Sequence, residues 1–228
     1  MRTGGVMTSA IILAAGKGQR MGTELPKQFL SMGDGMLLTK TLRVFEQSRV
    51  IQDIVLVTSE EWVGFCKKEI VEREGFRKVR KIVIGGKERY DSVYQGLLAC
   101  PNADYAFIHD GARPFVTEDI LVRTQEAVEK YEACAVGVPS KDTVKIVNED
   151  GFVESTPNRK NVWNIQTPQA FSYPLIRAAY EVVRDNNMTG ITDDAMIVEK
   201  SKLAKVKLVM GSYQNIKITT PDDMKWLM

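Results

Sequence analysis

The first residues that could do chemistry lie between Ala10 and Met21, in the stretch AIILAAGKGQRM. An apolar run gives way there to small residues, two glycines, Lys17 and Arg20. Glycine lets the backbone pass close to another group, and cations beside it favour an anionic ligand. A tight turn without a ligand is the simpler alternative.

A third cation strengthens the case for an anion. The segment ELPKQFL places Lys27 after Arg20, with Pro26 restricting the backbone directly before it. Three cations and backbone N–H groups suit a polyphosphate, whose charge is spread over many oxygens. Surface ion pairs or a helix end could use the same cations, but their clustering behind one apolar run favours the phosphate.

Two familiar nucleotide-binding templates do not fit this loop. The Rossmann pattern needs a third glycine where Met21 stands, and its ribose-binding acid, expected about 20 residues downstream, has no good candidate. The Walker A pattern needs Gly-Lys-Ser/Thr, which is absent. A nicotinamide-dependent oxidoreductase is therefore disfavoured.

Two later segments offer similar chemistry. GGKERYDSV supplies Gly86 for close approach and Ser92 at the start of a helix, and HDGARPF supplies Asp110 and Arg113. Asp110 could touch a metal or a sugar hydroxyl, or it could cap a turn. His109 is the only histidine and is expected to pack or hydrogen-bond rather than catalyse. With one imidazole in the chain, zinc sites of the usual kind and Ser–His or Cys–His catalysis are disfavoured.

The composition narrows the class further. The chain has 228 residues, and its 31 basic and 29 acidic residues leave a net charge of only +2. This balance argues against a nucleic-acid partner, which needs a basic stripe. Without an apolar run of about 18 residues, we expect no membrane span. The three cysteines are far apart and lack metal-ligand spacing, so we expect reduced thiols and a cytoplasmic protein.

The elements that must position these residues alternate along the first part of the chain. Repeated β–α units of this kind predict an α/β fold, with a mostly parallel, Rossmann-like sheet flanked by helices on both faces. Short Val- and Ile-rich runs predict buried strands at AIILA, DIVLVT, KVRKIVIG, YAFIHD and ACAVGVP. Apolar residues three and four apart predict helices at TKTLRVFEQS, Glu60 to Glu74, RYDSVYQGLLAC and EDILVRTQEAVEKY, the last capped by Thr117.

The alternation changes after Pro139. Period-two patterning around NEDG predicts a projecting β-hairpin arm that turns at Asp150-Gly151. Its polar make-up fits packing against another subunit or a solvated hairpin. Beyond the arm, TPQAFSYPLIRAAYEVVRD is interpreted as a loop followed by a helix, ITDDAMIVEK as a helix and KVKLVMG as a strand. NIKITTPDDMKWLM is interpreted as a short strand and a terminal helix.

Seven segments in order resemble one family. They are LAAGKGQRM…PKQF, GGKERYDSV, HDGARPF, VPSKDTVK, VWNIQTPQAF, ITDDA and NIKITTPDD, and they run from about Ser9 to Asp223. Together they resemble the bacterial 2-C-methyl-D-erythritol 4-phosphate cytidylyltransferases of the non-mevalonate isoprenoid pathway. The resemblance implies a nucleotidyltransferase-type fold in one domain, 1–228, with a dimerisation arm at about 139–162. It also implies a homodimer with arm exchange.

The implied reaction joins CTP to a polyol phosphate. The 4-phosphate of methylerythritol would attack the α-phosphorus of CTP and expel pyrophosphate, with Mg²⁺ bound mainly through the CTP phosphates. Ribitol-5-phosphate cytidylyltransferases share the KQF, TPQ and NIK elements, but they typically have AGG where this chain has Ala14-Ala15-Gly16. A non-catalytic nucleotide-binding module is the alternative from another class.

The resemblance also implies roles for particular residues. Those expected to act on the reacting phosphates or to position the substrate phosphate are Arg20, Lys27, Arg159 and Lys217. Those expected to contact the nucleotide are Ala14, Ala15, Gly16, Lys17, Gly18, Gly86, Ser92 and Gly111. Those expected to contact the polyol phosphate are Asp110, Arg113, Thr143, Thr167 and Thr192. No direct protein ligand for the metal is assigned. From the residues alone, Arg159 could be a solvated loop cation and Lys217 a charge at a strand edge.

Overall fold

The computed structural model describes residues 5–16, 25–33, 35–220 and 222–223. Its largest feature is a seven-stranded sheet. The strands of this sheet are β1 (Thr8–Leu13), β4 (Asp53–Thr58), β5 (Val79–Ile84), β6 (Tyr105–Asp110), β7 (Ala133–Pro139), β10 (Trp163–Ser172) and β11 (Lys207–Met210). Two small two-stranded sheets pair β2 (Ser31–Met32) with β3 (Gly35–Met36) and β8 (Ile146–Val147) with β9 (Val153–Ser155).

The strand order in the main sheet is β11-β7-β10-β6-β1-β4-β5. All neighbours are parallel except β10, which runs antiparallel to both β6 and β7. The prediction of a mostly parallel sheet is confirmed. Because β1, β4, β5 and β6 are parallel, the loops that follow them all emerge at one edge.

Helices cover both faces of the sheet, as predicted. They are α1 (Leu37–Gln47), α2 (Val63–Phe65, preceded by a 3₁₀ turn at Glu60–Trp62 and continued by a π-helix at Cys66–Glu72), α3 (Arg89–Ala99), α4 (Glu118–Tyr131), α5 (Tyr173–Asp185) and α6 (Asp194–Ser201). Successive side chains of β1 point to opposite faces of the sheet and pack against different helices. Ala10 and Ile12 pack with residues of α1 and α4, whereas Ile11 packs with residues of α3, α5 and α6. All three side chains are fully buried.

Helix α4 illustrates how closely a local signal can fix an element. Thr117 precedes it in an extended conformation, and its side-chain oxygen accepts a hydrogen bond from the Ile120 N–H, so the predicted N-cap is confirmed. Glu118 and Asp119 lie on the first turn, where acidic charge is favourable.

The region after the arm is where the sequence interpretation is wrong. Residues 163–172 form β10, the longest strand of the sheet, rather than a loop before a helix. Polar residues and Pro168 hide this strand in the sequence. Proline lacks the N–H that a sheet interior needs. Here it falls inside the register shift between Ile165 and Gln169, where the pairing with β7 is interrupted.

The C-terminal segment also differs from the interpretation. Residues 215–219 form no strand and are attached to the body by single hydrogen bonds, such as Ile218 N–H to the Ala112 carbonyl at 2.9 Å. The predicted terminal helix falls largely on Pro221 and 224–228, outside the described residues.

The hairpin predicted in the arm is present. Strands β8 and β9 pair antiparallel, and Gly151 takes a φ of +86° in the turn between them. Phe152 is 72% exposed beside that turn. Within the described part of the chain, no helix is both long enough and apolar enough to cross a membrane.

Candidate active site

A cavity of about 870 Å³ lies at the edge where the parallel strands end. Its wall includes Leu13 at the end of β1, Ser59 after β4, Gly85 after β5 and Asp110 at the end of β6. Ligands of open parallel sheets bind at this edge. The fold therefore brings together the loops that the sequence singled out.

The loop after β1 is held by a buried glutamine. Gln28 donates from Nε2 to the carbonyl oxygens of Ala14, at 2.5 Å, and Gly16, at 3.1 Å. The Ala14 N–H donates to the carbonyl of Val57 on the neighbouring strand. These bonds fix the path of 14–16 along the cavity wall, so a ligand meets a backbone that is already ordered.

The loop after β5 packs closely against this first loop. The Gly86 N–H donates to Ser92 Oγ at 3.1 Å, which ties the loop to the first turn of α3. A Cβ added at Gly85 would lie 2.7 Å from Ser92 Oγ and 2.8 Å from the Ala15 methyl. Such distances are impossible without movement of the backbone, so this position requires glycine. The two loops form one surface of main-chain groups.

Asp110 is the centre of the charge at the other side of the cavity. Its Oδ2 lies 3.1 Å from Lys217 Nζ and 3.2 Å from Arg113 Nε, and its Oδ1 lies 3.9 Å from Arg89 Nε. Burial raises the pKa of this carboxyl, but the three nearby cations outweigh burial and hold the pKa well below its ordinary value. Asp110 is therefore ionised, and the cluster is positive overall.

Arg89 extends this cluster into the core. Its Nη2 donates to Asp194 Oδ2 at 2.7 Å, and Asp194 is completely buried. Tyr180 donates its hydroxyl to the other oxygen of Asp194 at 2.7 Å. Burial opposes the charge of Arg89, but Asp194 and Asp110 raise its pKa above the ordinary value. Burial and the Asp194 charge also raise the pKa of Tyr180, which stays a neutral donor.

The C-terminal segment carries Lys217 into the cavity that Lys27 also lines. Lys27 donates from Nζ to the carbonyl of Ile218 at 2.8 Å, and Lys217 directly precedes that residue. Arg113 donates to the Asn215 carbonyl at 2.9 Å and so fixes the start of the segment. Two lysines that are far apart in sequence thus line one cavity.

His109 lies behind the cavity and is fully buried. One ring nitrogen, Nε2, is 3.1 Å from the Arg113 carbonyl, and the other, Nδ1, is 3.1 Å from Thr167 Oγ1. Burial lowers its pKa to about 4, so the ring is neutral. A carbonyl can only accept, so we assign the proton to Nε2 and let Nδ1 accept from the Thr167 hydroxyl. That hydroxyl oxygen in turn accepts from the Asp110 N–H at 3.0 Å. The expectation that His109 hydrogen-bonds fits this arrangement.

The structure gathers most of the site residues indicated by the sequence. Those that line the cavity are Ala14, Ala15, Gly16, Lys27, Gly86, Ser92, Asp110 and Lys217. Three more lie directly behind the cavity. Gly111 donates its N–H to the Leu13 carbonyl, and Arg113 and Thr167 both bond to Asp110. Thr192 is exposed near the start of α6, and Thr143 and Arg159 are exposed on the arm. Lys17, Gly18 and Arg20 lie outside the described residues.

Several cavity residues received no role from the sequence. They are Gln28, Ser59, Lys87, Glu88, Arg89 and Thr219. Gln28 and Arg89 lie inside the PKQF and GGKERYDSV segments. Their position next to predicted site residues was the signal that could have identified them. What the sequence could not show was which partners they reach, since Asp194 is 105 residues from Arg89.

The cavity is built for anions. Among the described residues no group of three or more His, Cys, Asp or Glu side chains is placed to hold a metal ion. The Asp110 carboxylate is already surrounded by cations and would be a poor primary ligand. The arrangement therefore favours an anionic ligand.

Comparison with known proteins identifies the family. The profile described as 2-C-methyl-D-erythritol 4-phosphate cytidylyltransferase matches residues 8–226. Proteins with that name from Geobacter metallireducens and Lachnospira eligens are 49% and 43% identical, covering 94% and 96% of this chain and 93% and 96% of the relative.

Solved structures agree with these sequence matches. A crystal structure of 4-diphosphocytidyl-2C-methyl-D-erythritol synthase from Anaerococcus prevotii superposes with a TM-score of 0.86 at 37% identity, covering 97% of this chain and 94% of that one. A 2-C-methyl-D-erythritol 4-phosphate cytidylyltransferase from Francisella tularensis gives a TM-score of 0.80 at 28% identity, covering 97% and 100%. The chain belongs to the 2-C-methyl-D-erythritol 4-phosphate cytidylyltransferase family.

Proposed function

We propose that this chain transfers the cytidylyl group of CTP to 2-C-methyl-D-erythritol 4-phosphate, giving 4-diphosphocytidyl-2-C-methyl-D-erythritol and pyrophosphate. Membership of the family supports this reaction. The structural observation that carries it is one cavity that combines main-chain loops with Lys27 and Lys217 and has no histidine among its described lining residues.

The chemistry explains why these groups suffice. A phosphate monoester is largely dianionic at neutral pH, since its second pKa is about 6. It can attack the α-phosphorus of CTP without a general base. A new phosphorus–oxygen bond forms, the bond to the β-phosphate oxygen breaks, and pyrophosphate leaves with the electron pair. The obstacle is repulsion between anions, which fixed cations and N–H donors reduce.

The nucleotide is assigned to the two main-chain loops. The backbone of 14–16 and Gly86, together with the Ser92 side chain, would contact the cytidine, and Gly111 would allow close approach beside them. Support comes from the lining of the cavity and from the lack of room at Gly85. Lys27 would act on the triphosphate. Arg20 is also proposed to act on the triphosphate, and Lys17 and Gly18 are proposed to contact the nucleotide.

The polyol phosphate is assigned to the side of the cavity around Asp110. A carboxylate that is ionised and ringed by cations can accept hydrogen bonds from hydroxyl groups, while Lys217 attracts the phosphate. Arg113 and Thr167 hold Asp110 from behind, through its carboxylate and its backbone N–H. Thr192 would contribute a further hydroxyl.

The arm is proposed to complete the site of a second copy of the chain. Thr143 and Arg159 are exposed, and Arg159 Nη1 donates only at 3.2 Å to the Lys141 carbonyl of its own arm. The apolar side chains of Phe152 and Val153 are 72% and 58% exposed, which favours burial against a partner. The chain would then be one domain with a dimerisation arm at about 139–162.

The proposal also includes Mg²⁺ as the metal that accompanies CTP, and a cytoplasmic location. When bound to the CTP phosphates, Mg²⁺ would neutralise part of their charge. The three cysteines are free and buried, and burial raises the thiol pKa of Cys66 to about 11 and of Cys100 and Cys134 to about 12. Such thiols are unreactive, which is compatible with the proposed cytoplasmic location.

A pyrophosphate-release assay tests the function directly. The protein is incubated with CTP and Mg²⁺ and with either 2-C-methyl-D-erythritol 4-phosphate or ribitol 5-phosphate. We expect turnover with the first compound. Turnover with ribitol 5-phosphate alone would assign the chain to the alternative substrate, and nucleotide binding without turnover would identify a non-catalytic module.

A further inference from the structure

Two buried carboxylates share one arginine, Arg89, which lies in the wall of the cavity. Arg89 Nη2 donates to Asp194 Oδ2 at 2.7 Å, while Arg89 Nε lies 3.9 Å from Asp110 Oδ1. The Asp194 side chain is 0% exposed and that of Asp110 is 10% exposed. One guanidinium group therefore faces a carboxylate of the core and a carboxylate of the cavity at the same time.

The core end of this arrangement is anchored. Tyr180 donates to Asp194 Oδ1, so both carboxylate oxygens have a partner. The backbone N–H groups of Asp194 and Ala195 both donate to Gln169 Oε1, at 3.0 and 2.8 Å, which fixes the start of α6 to β10. Asp194 is thus a stationary acceptor, and it orients the guanidinium of Arg89 toward the cavity.

The cavity end is arranged differently. The two short contacts of the Asp110 carboxylate, from Lys217 and Arg113, both go to Oδ2. Its Oδ1 faces Arg89 at a distance beyond a hydrogen bond, so the attraction is electrostatic and leaves lone pairs of Oδ1 available. A hydroxyl group of a ligand in the cavity can donate to this oxygen.

We propose that Arg89 is a positioning residue, which is anchored by Asp194 and holds Asp110 Oδ1 toward the hydroxyl groups of the polyol phosphate. This inference rests on the proposed function, which assigns Asp110 to that substrate. Arg89 acts on the polyol through Asp110 and leaves CTP binding to the main-chain loops.

The chain offers a matched control for simple tethering of α3. Arg184 of α5 lies 3.3 Å from Asp91, which is also in the first turn of α3, and the Arg184 side chain is 42% exposed. Arg184 holds the same helix but has no ion pair with Asp110 and is not among the residues that line the cavity. Arg184→Gln therefore removes a tether of α3 without removing the proposed positioning.

The test is a double-mutant cycle with Arg89→Gln and Asp110→Asn, measured by pyrophosphate release. We expect Arg89→Gln to lower kcat/KM for the methylerythritol phosphate by roughly 10–100-fold through a small displacement of Asp110. The Kd of CTP should change by less than about threefold, and the double variant should be within about threefold of Asp110→Asn alone, since groups acting as a unit are non-additive. Arg184→Gln should stay within about twofold of wild type.

Thermal unfolding of each variant checks that it is folded. If Arg89→Gln does not fold, Arg89→Lys replaces it in the cycle, because it keeps a charge between the carboxylates but loses the planar fork. Additive losses in the cycle, a matching loss in CTP affinity, or an equal effect of Arg184→Gln would overturn the inference while the wild-type activity stands. Absence of wild-type turnover would overturn the proposed function, and this inference with it.

Discussion

The cavity and the arm both carry residues indicated by the family resemblance, but they are built in opposite ways. Around the cavity, Ser92 and Asp110 are only 4% and 7% exposed, and each is fixed by contacts within the chain. On the arm, strands β8 and β9 are exposed along their whole length. One part of the proposed site is thus organised by the chain itself, whereas the arm is exposed and, in the proposed dimer, would be ordered by a second copy of the chain.

The largest expected effect concerns the cavity. Lys27→Ala should lower turnover by about 10²–10³-fold, because it removes a fixed charge beside the phosphates. Steady-state pyrophosphate release measures the loss, and circular dichroism should show an unchanged fold. Lys67→Ala, which removes an exposed lysine of the π-helix, is the matched control and should keep normal activity. Normal turnover of Lys27→Ala would contradict the proposed action of Lys27 on the phosphates.

The second prediction tests the arm against the cavity. Arg159→Ala and Lys27→Ala subunits should each be inactive, but mixed in equal amounts they should recover about a quarter of wild-type turnover. Half of the dimers are then mixed, and one of their two sites regains both residues. Mass spectrometry of intact dimers verifies subunit exchange. Exchange without recovery would mean that Arg159 does not complete a site of the partner subunit.

The third prediction concerns the protonation of His109, which lies behind the cavity. The folded pKa of His109 is lowered by burial to about 4, so the unfolded chain, near pKa 6.5, binds its proton first as pH falls. The neutral ring contributes fully to the free energy of unfolding above pH 6.5. This contribution, up to about 3 kcal/mol, is lost as the pH falls toward about 4.

Two measurements check this prediction. Since His109 is the only histidine, its ring proton signal is unambiguous in an NMR titration and should not shift between pH 7 and pH 5 in the folded protein. Chemical denaturation over the same range should show the loss of stability. A native signal that titrates near pH 6.5 would contradict the prediction, because it would show that the His109 ring is in contact with water.

The sequence predicted the regular parts of this fold because local signals there agree with the final packing. DIVLVT, YAFIHD and ACAVGVP are strands with the predicted bounds, and α4 begins at its predicted cap. The long strand β10 was missed because its buried polar residues are satisfied by partners distant in sequence. Gln169, for example, receives two backbone N–H groups from α6.

The same distinction applies to the site. Glycines and cations next to strand ends could be identified from the sequence, and the fold brings most of them to one cavity. The roles of Gln28 and Arg89 could not, since each depends on a partner that only the tertiary structure supplies. Sequence shows which loops matter, and the structure shows what orders them.

Strand β10 has a mechanical consequence. Its first residues pair with 137–139 at the base of the arm, and its last residues pair with β6, the strand that ends in Asp110. Thr167, between these two ends, holds the backbone of Asp110. One strand therefore joins the base of the arm to the strand that carries Asp110, although its pairing with β7 is interrupted between Ile165 and Gln169. In the proposed dimer, separation of the subunits should therefore also weaken binding of the polyol phosphate.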